Sequence, residues 1–261
     1  MIIMKIAIVT GASKGLGREF VKLLDQEKQL DQIWGIARSK EQLESLQKSL
    51  TTPMRVLAYD LTQESAINAL LDLLKKEKPS VQFLINAAGI GSIGSYKDIP
   101  LHTCAAMIDL NCRAAVLLSQ ASIPFMPVGS HILEICSTAA FQPLPYLNIY
   151  AASKAFLYHY SRALHFELTA QHISVTAICP YWIKDTEFIS TAKGNKSNCY
   201  INNFIWGSLK KTVAKKALND AKKNLAVSTP GIICTLHHIA CKFLPDNLLM
   251  SIWNFIRRYK I

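Results

Sequence analysis

The chain has 261 residues, half of them hydrophobic, and a formal net charge of +11 at pH 7. This length fits one large domain that can bury its core without disulfides or bound metals. Its seven cysteines are scattered, with no pair at zinc-ligand spacing, which argues against a disulfide scaffold or a zinc site and predicts reduced thiols.

Short apolar runs rich in Ile and Val alternate with helical patterns along the chain, as is typical of strands buried on both faces of a sheet. The predicted strands are 5–10, 32–37, 55–59, 82–86, 131–137, 174–179 and a short last strand, 224–228. The predicted helices are 16–27, 40–49, 64–78, 102–122, 149–171 and 195–223. The alternation predicts a single α/β domain over 1–230, a doubly wound parallel sheet of the Rossmann type, with a helical extension over 231–261.

A glycine-rich loop, TGASKGLG at residues 10–17, follows the first predicted strand and opens the first helix. Glycines allow a tight turn, and the backbone N–H groups at a helix N-terminus attract a pyrophosphate. The loop therefore predicts a dinucleotide site. The loop residues expected at the cofactor are Gly11, Ser13, Lys14, Gly15, Leu16 and Gly17.

The end of the second predicted strand bears on the choice between NAD and NADP. An NAD site usually has a carboxylate there for the ribose hydroxyls. This chain has Arg38 instead, which can pair with a 2′-phosphate, and Lys14 adds a second cation. The alternative is a solvated arginine at a strand end. The sequence favours NADP(H).

Three residues predict proton handling beside the dinucleotide. Tyr150 and Lys154 are four residues apart in a predicted helix and therefore share a face. A phenol ordinarily titrates near pH 10, so it acts near neutrality only if its anion is stabilised, and Lys154 can supply that positive charge. Ser137 ends the preceding predicted strand.

Taken in order, these motifs resemble the short-chain dehydrogenase/reductase superfamily, in a bacterial NADP-dependent branch, over about residues 5–230. The resemblance implies an α/β enzyme with Tyr150 as general acid/base and Ser137 as hydrogen-bond donor to the substrate oxygen. It implies that Lys154 bonds the nicotinamide ribose and lowers the pKa of Tyr150, and that Asn111 holds a water that relays protons toward Lys154.

Further cofactor contacts are implied only by the resemblance. They are Asp60 and Leu61 beside the adenine, Asn86, Ala87 and Gly89 beside the adenine ribose, and Pro180, Ile183 and Thr186 around the carboxamide. One departure is that the family usually has Pro-Gly after the sixth strand, where this chain has Pro180-Tyr181-Trp182.

The C-terminal quarter is cationic, with twelve Lys and Arg against two Asp from Lys193 onward. Two apolar segments, 232–244 and 247–259, are too short to span a bilayer. They fit helices at a membrane surface or substrate entrance, an oligomer contact, or ordinary packing. No nucleic-acid module accompanies the lysine pairs, so no nucleic acid is expected. The pair His237-His238 is expected to be solvated or packed, so no metal is expected.

We expect an NADP(H)-dependent oxidoreductase that transfers a hydride between nicotinamide and a carbonyl or secondary alcohol of a lipophilic substrate. A 3-oxoacyl thioester, a steroid-like ketone and a general ketone or aldehyde all remain open. Residues 1–10 carry no signal-peptide pattern, so a cytoplasmic protein is expected. A homodimer or homotetramer is also expected, and peripheral membrane contact is one interpretation of the C-terminal segments. The alternatives are an NADP(H)-binding sensor or scaffold and a membrane-surface adaptor.

Overall fold

The structure is a computed structural model that describes residues 3–193, 200–202, 204 and 207–258. Its strands form one parallel sheet in the order β3-β2-β1-β4-β5-β6-β7. They are β1 (Lys5–Thr10), β2 (Gln32–Ala37), β3 (Met54–Ala58), β4 (Ser80–Asn86), β5 (His131–Ile135), β6 (Ser174–Ile178) and β7 (Val227–Ser228). The strand order reverses between β1 and β4, where sheets of this type bind ligands. The predicted doubly wound fold is confirmed.

Helices cover both faces of the sheet. In chain order they are α1 (Gly15–Glu27), α2 (Lys40–Gln47), α3 (Glu64–Glu77), α4 (Leu101–Ile108), α5 (Ala115–Ser122), α6 (Asn148–Glu167), α7 (Phe188–Lys193), α8 (Lys210–Lys222), α9 (Ile232–Phe243) and α10 (Asp246–Ile256). Alternate residues of β1 supply the two core layers. Ile6 and Ile8 pack with α3, α5 and α6, whereas Ala7 and Val9 pack with α1, α2 and α8.

The predicted helix 102–122 differs from the observed one. A π-helical turn, Asp109–Ala114, separates α4 from α5. The extra residue in such a turn comes from tertiary packing, which a hydrophobic pattern does not reveal. The stretch Leu101–Phe125 is long and apolar enough to cross a membrane by length and composition. In the fold, however, α5 packs on α3 and β4 as a core helix.

The predicted helix 195–223 is wrong in its first part. Helix α8 begins only at Lys210, and described residues 200–202 and 207–209 are not helical. Ser208 forms a β-bridge with Ile183 instead. Residues 195–199, 203, 205 and 206 of that prediction lie outside the described residues, as do 259–261 at the C-terminus. The predicted strand 224–228 shortens to β7, because Asn224 takes a left-handed conformation as the chain leaves α8.

Candidate active site

A cavity of about 1080 Å³ lies at the carboxyl ends of the strands. All the predicted site residues except Asn86 and Asn111 line this cavity. The residues that line it are Gly11, Ser13, Lys14, Gly15, Leu16, Gly17, Arg38, Asp60, Leu61, Ala87, Gly89, Ser137, Tyr150, Lys154, Pro180, Ile183 and Thr186. The fold thus brings together the two ends of the predicted site, the glycine loop and the Ser-Tyr-Lys set.

The glycine loop is packed so tightly that side chains would not fit at two of its positions. Gly11 has a φ of +64°, and a Cβ there would lie 3.0 Å from the backbone of Ala87. A Cβ on Gly17 would lie 2.4 Å from the carbonyl oxygen of Gly11. The loop therefore presents bare backbone at the start of α1, which fits a bound pyrophosphate.

The two predicted cations differ in their surroundings. Arg38 is exposed at the end of β2, and its guanidinium has no ion-pair partner in the described part of the chain. Lys14 instead forms an ion pair with Glu187 from the segment before α7. Arg38 is therefore the freer of the two to meet a phosphate, while Glu187 competes for Lys14.

Asp60 and Leu61 occupy the turn after β3, as predicted. The carboxylate of Asp60 accepts hydrogen bonds from the backbone N–H (3.0 Å) and the hydroxyl (2.8 Å) of Thr62. Leu61 is buried. Both line the cavity at the carboxyl end of the sheet, where the family resemblance predicts the adenine.

Asn86 turns its side chain away from the cavity. Its Nδ2 donates to Glu134 Oε1 (2.9 Å) and Ser119 Oγ (3.0 Å) between β4, β5 and α5. Glu134 is fully buried, and this burial raises the pKa of its carboxyl to about 7. The side chain of Asn86 thus supports the strand ends, and the predicted contact with the adenine ribose is not one that this side chain makes.

Asn111 also lies behind the cavity wall, in the π-helical turn. Its amide pairs with the backbone of Ile90, accepting from its N–H (2.9 Å) and donating to its carbonyl (2.9 Å). Its Nδ2 also donates to Ser153 Oγ at 3.0 Å. A Cβ on Gly89 would lie 3.1 Å from Asn111 Oδ1 and 3.4 Å from Lys154 Nζ. Asn111 and Lys154 are therefore neighbours across Gly89.

Tyr150 and Lys154 stand one turn apart on α6, with Lys154 Nζ 5.8 Å from the centroid of the Tyr150 ring. Lys154 Nζ donates to the carbonyl of Ile135, at the end of β5, at 2.7 Å. Ser137 caps the 3₁₀ turn Thr138–Phe141, since its Oγ accepts from the N–H of Ala139. Ser137 therefore lies in a loop just beyond β5, whereas the sequence analysis placed it at the end of the strand.

Burial dominates the electrostatics of this group. It raises the pKa of Tyr150, and a hydrogen bond with Ser137 only partly opposes that shift. Burial also lowers the pKa of Lys154. The structure therefore does not show the lowered phenol pKa that the sequence predicts, because desolvation disfavours the charged form of both groups.

The unusual Pro180-Tyr181-Trp182 segment is held in place by backbone hydrogen bonds. The carbonyl of Pro180 accepts from the N–H of Thr138 at 3.0 Å, and that of Trp182 accepts from the N–H of Ser208 at 2.8 Å. Thr186 Oγ1 donates to the carbonyl of Ile183 at 3.1 Å. The two aromatic residues thus extend the cavity wall without displacing Pro180, Ile183 or Thr186 from it.

Helices α9 and α10 supply a further wall that is mostly apolar. Trp253 of α10 belongs to the same hydrophobic cluster as Leu144, Leu147 and Tyr150, and its Nε1 donates to the carbonyl of Pro145 at 3.0 Å. Six more apolar residues of these helices also line the cavity: Ile233, Leu236, Ala240, Leu249, Ile252 and Ile256.

One polar pair interrupts this apolar wall. His237 Nε2 lies 2.7 Å from Gln142 Oε1, and both residues line the cavity. Burial lowers the pKa of His237, which favours its neutral form. Neither residue was predicted as a site residue, because they lie 95 positions apart and no local pattern joins them.

Comparison with known proteins agrees with this geometry. The profile of the short chain dehydrogenase family matches residues 5–196. An uncharacterized oxidoreductase of Staphylococcus epidermidis is 30% identical over 178 residues, which cover 67% of this chain and 76% of the relative.

Two solved structures are similar in fold. A short-chain dehydrogenase from Sphingobium yanoikuyae in complex with NADPH has a TM-score of 0.78 at 23% identity, covering 99% of this chain and 97% of its own. A 3-ketoacyl-(acyl-carrier-protein) reductase from Brucella melitensis complexed with NADH has a TM-score of 0.70 at 24% identity, covering 87% and 94%. The neighbours include complexes with both dinucleotides. By its profile match, its fold and its relatives, the chain belongs to the short-chain dehydrogenase family of oxidoreductases, whose fold binds nicotinamide cofactors.

Proposed function

We propose that the protein is an NADP(H)-dependent reductase of lipophilic ketones or aldehydes. The observation that carries this proposal is a single one: Ser137, Tyr150 and Lys154 line the same cavity as the glycine loop. A protein that only binds the dinucleotide has no need for these three side chains in that arrangement.

The chain's own residues have distinct roles in the proposed reaction. When bound, the nicotinamide supplies the hydride for the carbonyl carbon. Ser137 Oγ donates a hydrogen bond to the substrate oxygen and holds it against Tyr150, whose Oη gives up its proton to that oxygen. Lys154, held by the Ile135 carbonyl, lies close enough to stabilise the phenolate that remains. Asn111 fixes the backbone of Ile90 beside them.

Reduction is the direction in which Tyr150 acts as the acid, whereas alcohol oxidation needs its phenolate as a base. Burial raises the pKa of Tyr150, so the phenol carries the proton that reduction requires in the free protein. We assign reduction as the direction of the proposed reaction.

The choice of NADP(H) rests mainly on Arg38. Its guanidinium lies at the cavity, at the end of β2, and has no partner in the described part of the chain. An unpaired guanidinium fits a 2′-phosphate, which NADH lacks. Lys14 adds positive charge, although its pairing with Glu187 weakens that contribution.

The lipophilic substrate class rests on the wall formed by α9 and α10. Apolar residues dominate this wall near Tyr150. Within it, Gln142 and His237 can form hydrogen bonds with a polar group of the substrate. An elongated apolar molecule with a carbonyl near one end fits such a cavity.

The test is consumption of NADPH by the purified protein over a panel of carbonyl compounds. The panel should pair short water-soluble ketones and aldehydes with alkyl-chain, ring and 3-oxoacyl ketones. Turnover that favours the apolar members supports the proposal. Tight NADPH binding with no turnover on any member would point to a sensor or scaffold instead.

A further inference from the structure

The two C-terminal helices are apolar on the side that faces solvent as well as on the side that faces the cavity. On α9, four large side chains follow the helical spacing i, i+4, i+7 and i+11, and all are exposed: Ile232, Leu236, Ile239 and Phe243. On α10, Leu248 and Ile252 are four residues apart and also exposed. We call these six residues the outer stripe.

The outer stripe reaches the cavity. Leu236 and Ile252 belong to it and also line the cavity wall, one from each helix. The other four stripe residues do not line the cavity. Solvent-exposed apolar surface is therefore continuous with the apolar wall near Tyr150. A helix that is apolar all round needs a partner on its outer face.

The charge of this region favours one kind of partner. Residues 232–258 contain three basic side chains, Lys242, Arg257 and Arg258, against Asp246. Arg257 is buried and donates to the carbonyl of Tyr200, but Arg258 is exposed, and so is Lys242 next to Phe243. Neither of these two has an ion-pair partner in the described residues. Two copies of such a surface would repel each other, whereas anionic lipid head groups would attract it.

We propose that the outer stripe docks the protein on the surface of a bilayer that contains anionic phospholipid. Helix α9 is too short to cross the membrane and lies in its interface, with Ile232, Ile239 and Phe243 among the acyl chains and Lys242 and Arg258 at the phosphates. The cavity then opens toward the lipid. Entry of lipophilic substrate by this route rests on the proposed function, whereas the docking does not.

The experiment is co-sedimentation of the full-length chain with two kinds of vesicle, phosphatidylcholine alone and phosphatidylcholine mixed with phosphatidylglycerol. The protein should sediment with the mixed vesicles, remain largely in solution with the neutral ones, and dissociate as salt is added. Equal recovery in the supernatant with both vesicles would overturn the proposal.

A matched pair of variants locates the contact. Phe243→Ser should weaken binding to the mixed vesicles by about tenfold, since it removes a large apolar group from the stripe. The control is Phe166→Ser on α6. Phe166 is 84% exposed and Phe243 80%, and neither lines the cavity. An equal effect of the two substitutions would show that general surface hydrophobicity, not the stripe, causes the binding.

Two further readouts separate the alternatives. Lys242→Glu should remove the preference for phosphatidylglycerol while leaving turnover of a water-soluble ketone unchanged. If sedimentation velocity without lipid shows a dimer that Phe243→Ser dissociates, the stripe is an interface between copies and the proposal fails. Vesicle binding without any NADPH turnover would overturn the proposed function and leave the docking intact.

Discussion

Tyr150 is the residue on which the proposed chemistry depends most. Its phenol is buried, is hydrogen-bonded by Ser137 and has a raised pKa, so it holds its proton in the free protein. The sequence identified this residue from its spacing to Lys154. It did not reveal the direction of the pKa shift, because desolvation depends on side chains distant along the chain, such as Phe188 and Trp253, that cluster with Tyr150 only after folding.

We expect Tyr150→Phe to lower turnover by about a hundredfold or more, since the ring remains but the proton donor is gone. NADPH affinity should change little, and fluorescence titration with NADPH measures it alongside the rate. The matched control is Tyr158→Phe, two turns along α6, whose hydroxyl contacts His238 outside the cavity. Near-normal turnover of Tyr150→Phe would show that another group is the acid.

Arg38→Asp should reverse the preference between the two dinucleotides. We expect the parent to bind NADPH about tenfold more tightly than NADH, a difference of about 1.4 kcal/mol. A carboxylate at this position repels the 2′-phosphate and can instead accept hydrogen bonds from the ribose hydroxyls.

Titration of parent and variant with both dinucleotides measures this change. Lys40→Asp is the control, because Lys40 lies two residues further along, outside the cavity, and pairs with Glu44. Equal affinity of the parent for NADPH and NADH would contradict the role assigned to Arg38.

At the scale of elements, most boundaries could be predicted from the sequence because buried parallel strands are continuous apolar runs. Strands β1 and β2 match their predictions end to end. Two features had no such signal. The π-helical turn that places Asn111 behind Gly89 arises from packing, and the irregular segment around Ser208 depends on its bridge to Ile183. The polar pair Gln142–His237 forms only when α9 closes over the 3₁₀ turn.

The junction of β4, β5 and α5 makes stability depend on pH through Glu134. Its pKa is raised from an ordinary value of 4.5 to about 7, so the folded state holds a proton that the unfolded state releases. The stabilisation is complete below the ordinary pKa and is lost as pH rises through about 7. The size of the effect is about 3 kcal/mol.

Glu134→Gln should abolish that dependence, because the amide stays neutral while its oxygen still accepts from Asn86 and Ser119. Thermal or urea unfolding at a series of pH values measures the difference between parent and variant. Between about pH 4 and pH 8, the free energy of unfolding should fall in the parent relative to the variant. The control is Glu64→Gln, at an exposed position of α3, for which the difference in unfolding free energy from the parent should not change with pH. A difference that does not change with pH for Glu134→Gln as well would mean that folding does not raise the pKa of Glu134.

At the scale of the whole molecule, the sheet supplies the dinucleotide site and the C-terminal helices supply the rest of the cavity. Sequence motifs predicted the first part, because a pyrophosphate demands glycines at fixed spacing. They left the role of 231–261 open, because apolar helical patterns look alike whether they face a cavity, a partner or lipid. The structure places Ile252 at the cavity and Ile239 outside it.

The different positions of Ile252 and Ile239 can be tested by measuring kcat/KM on a series of ketones of increasing chain length. Each added methylene that reaches the wall should raise kcat/KM roughly fourfold, corresponding to about 0.8 kcal/mol. Ile252→Ser should flatten the series at its long end. Ile239→Ser, which changes a comparably exposed isoleucine away from the cavity, should not. A uniform loss at every length for Ile252→Ser would mean that the side chain supports folding rather than the substrate.

The central claim is that this one cavity joins a nicotinamide to a carbonyl, with Tyr150 as the acid. The most direct measurement uses NADPH carrying deuterium at the transferable position of C4, incubated with the parent protein and the best ketone from the panel, followed by mass spectrometry of the product. We predict an alcohol with deuterium on the carbinol carbon, and almost none when Tyr150→Phe replaces the parent. A product without deuterium, or equal labelling by both proteins, would contradict the account.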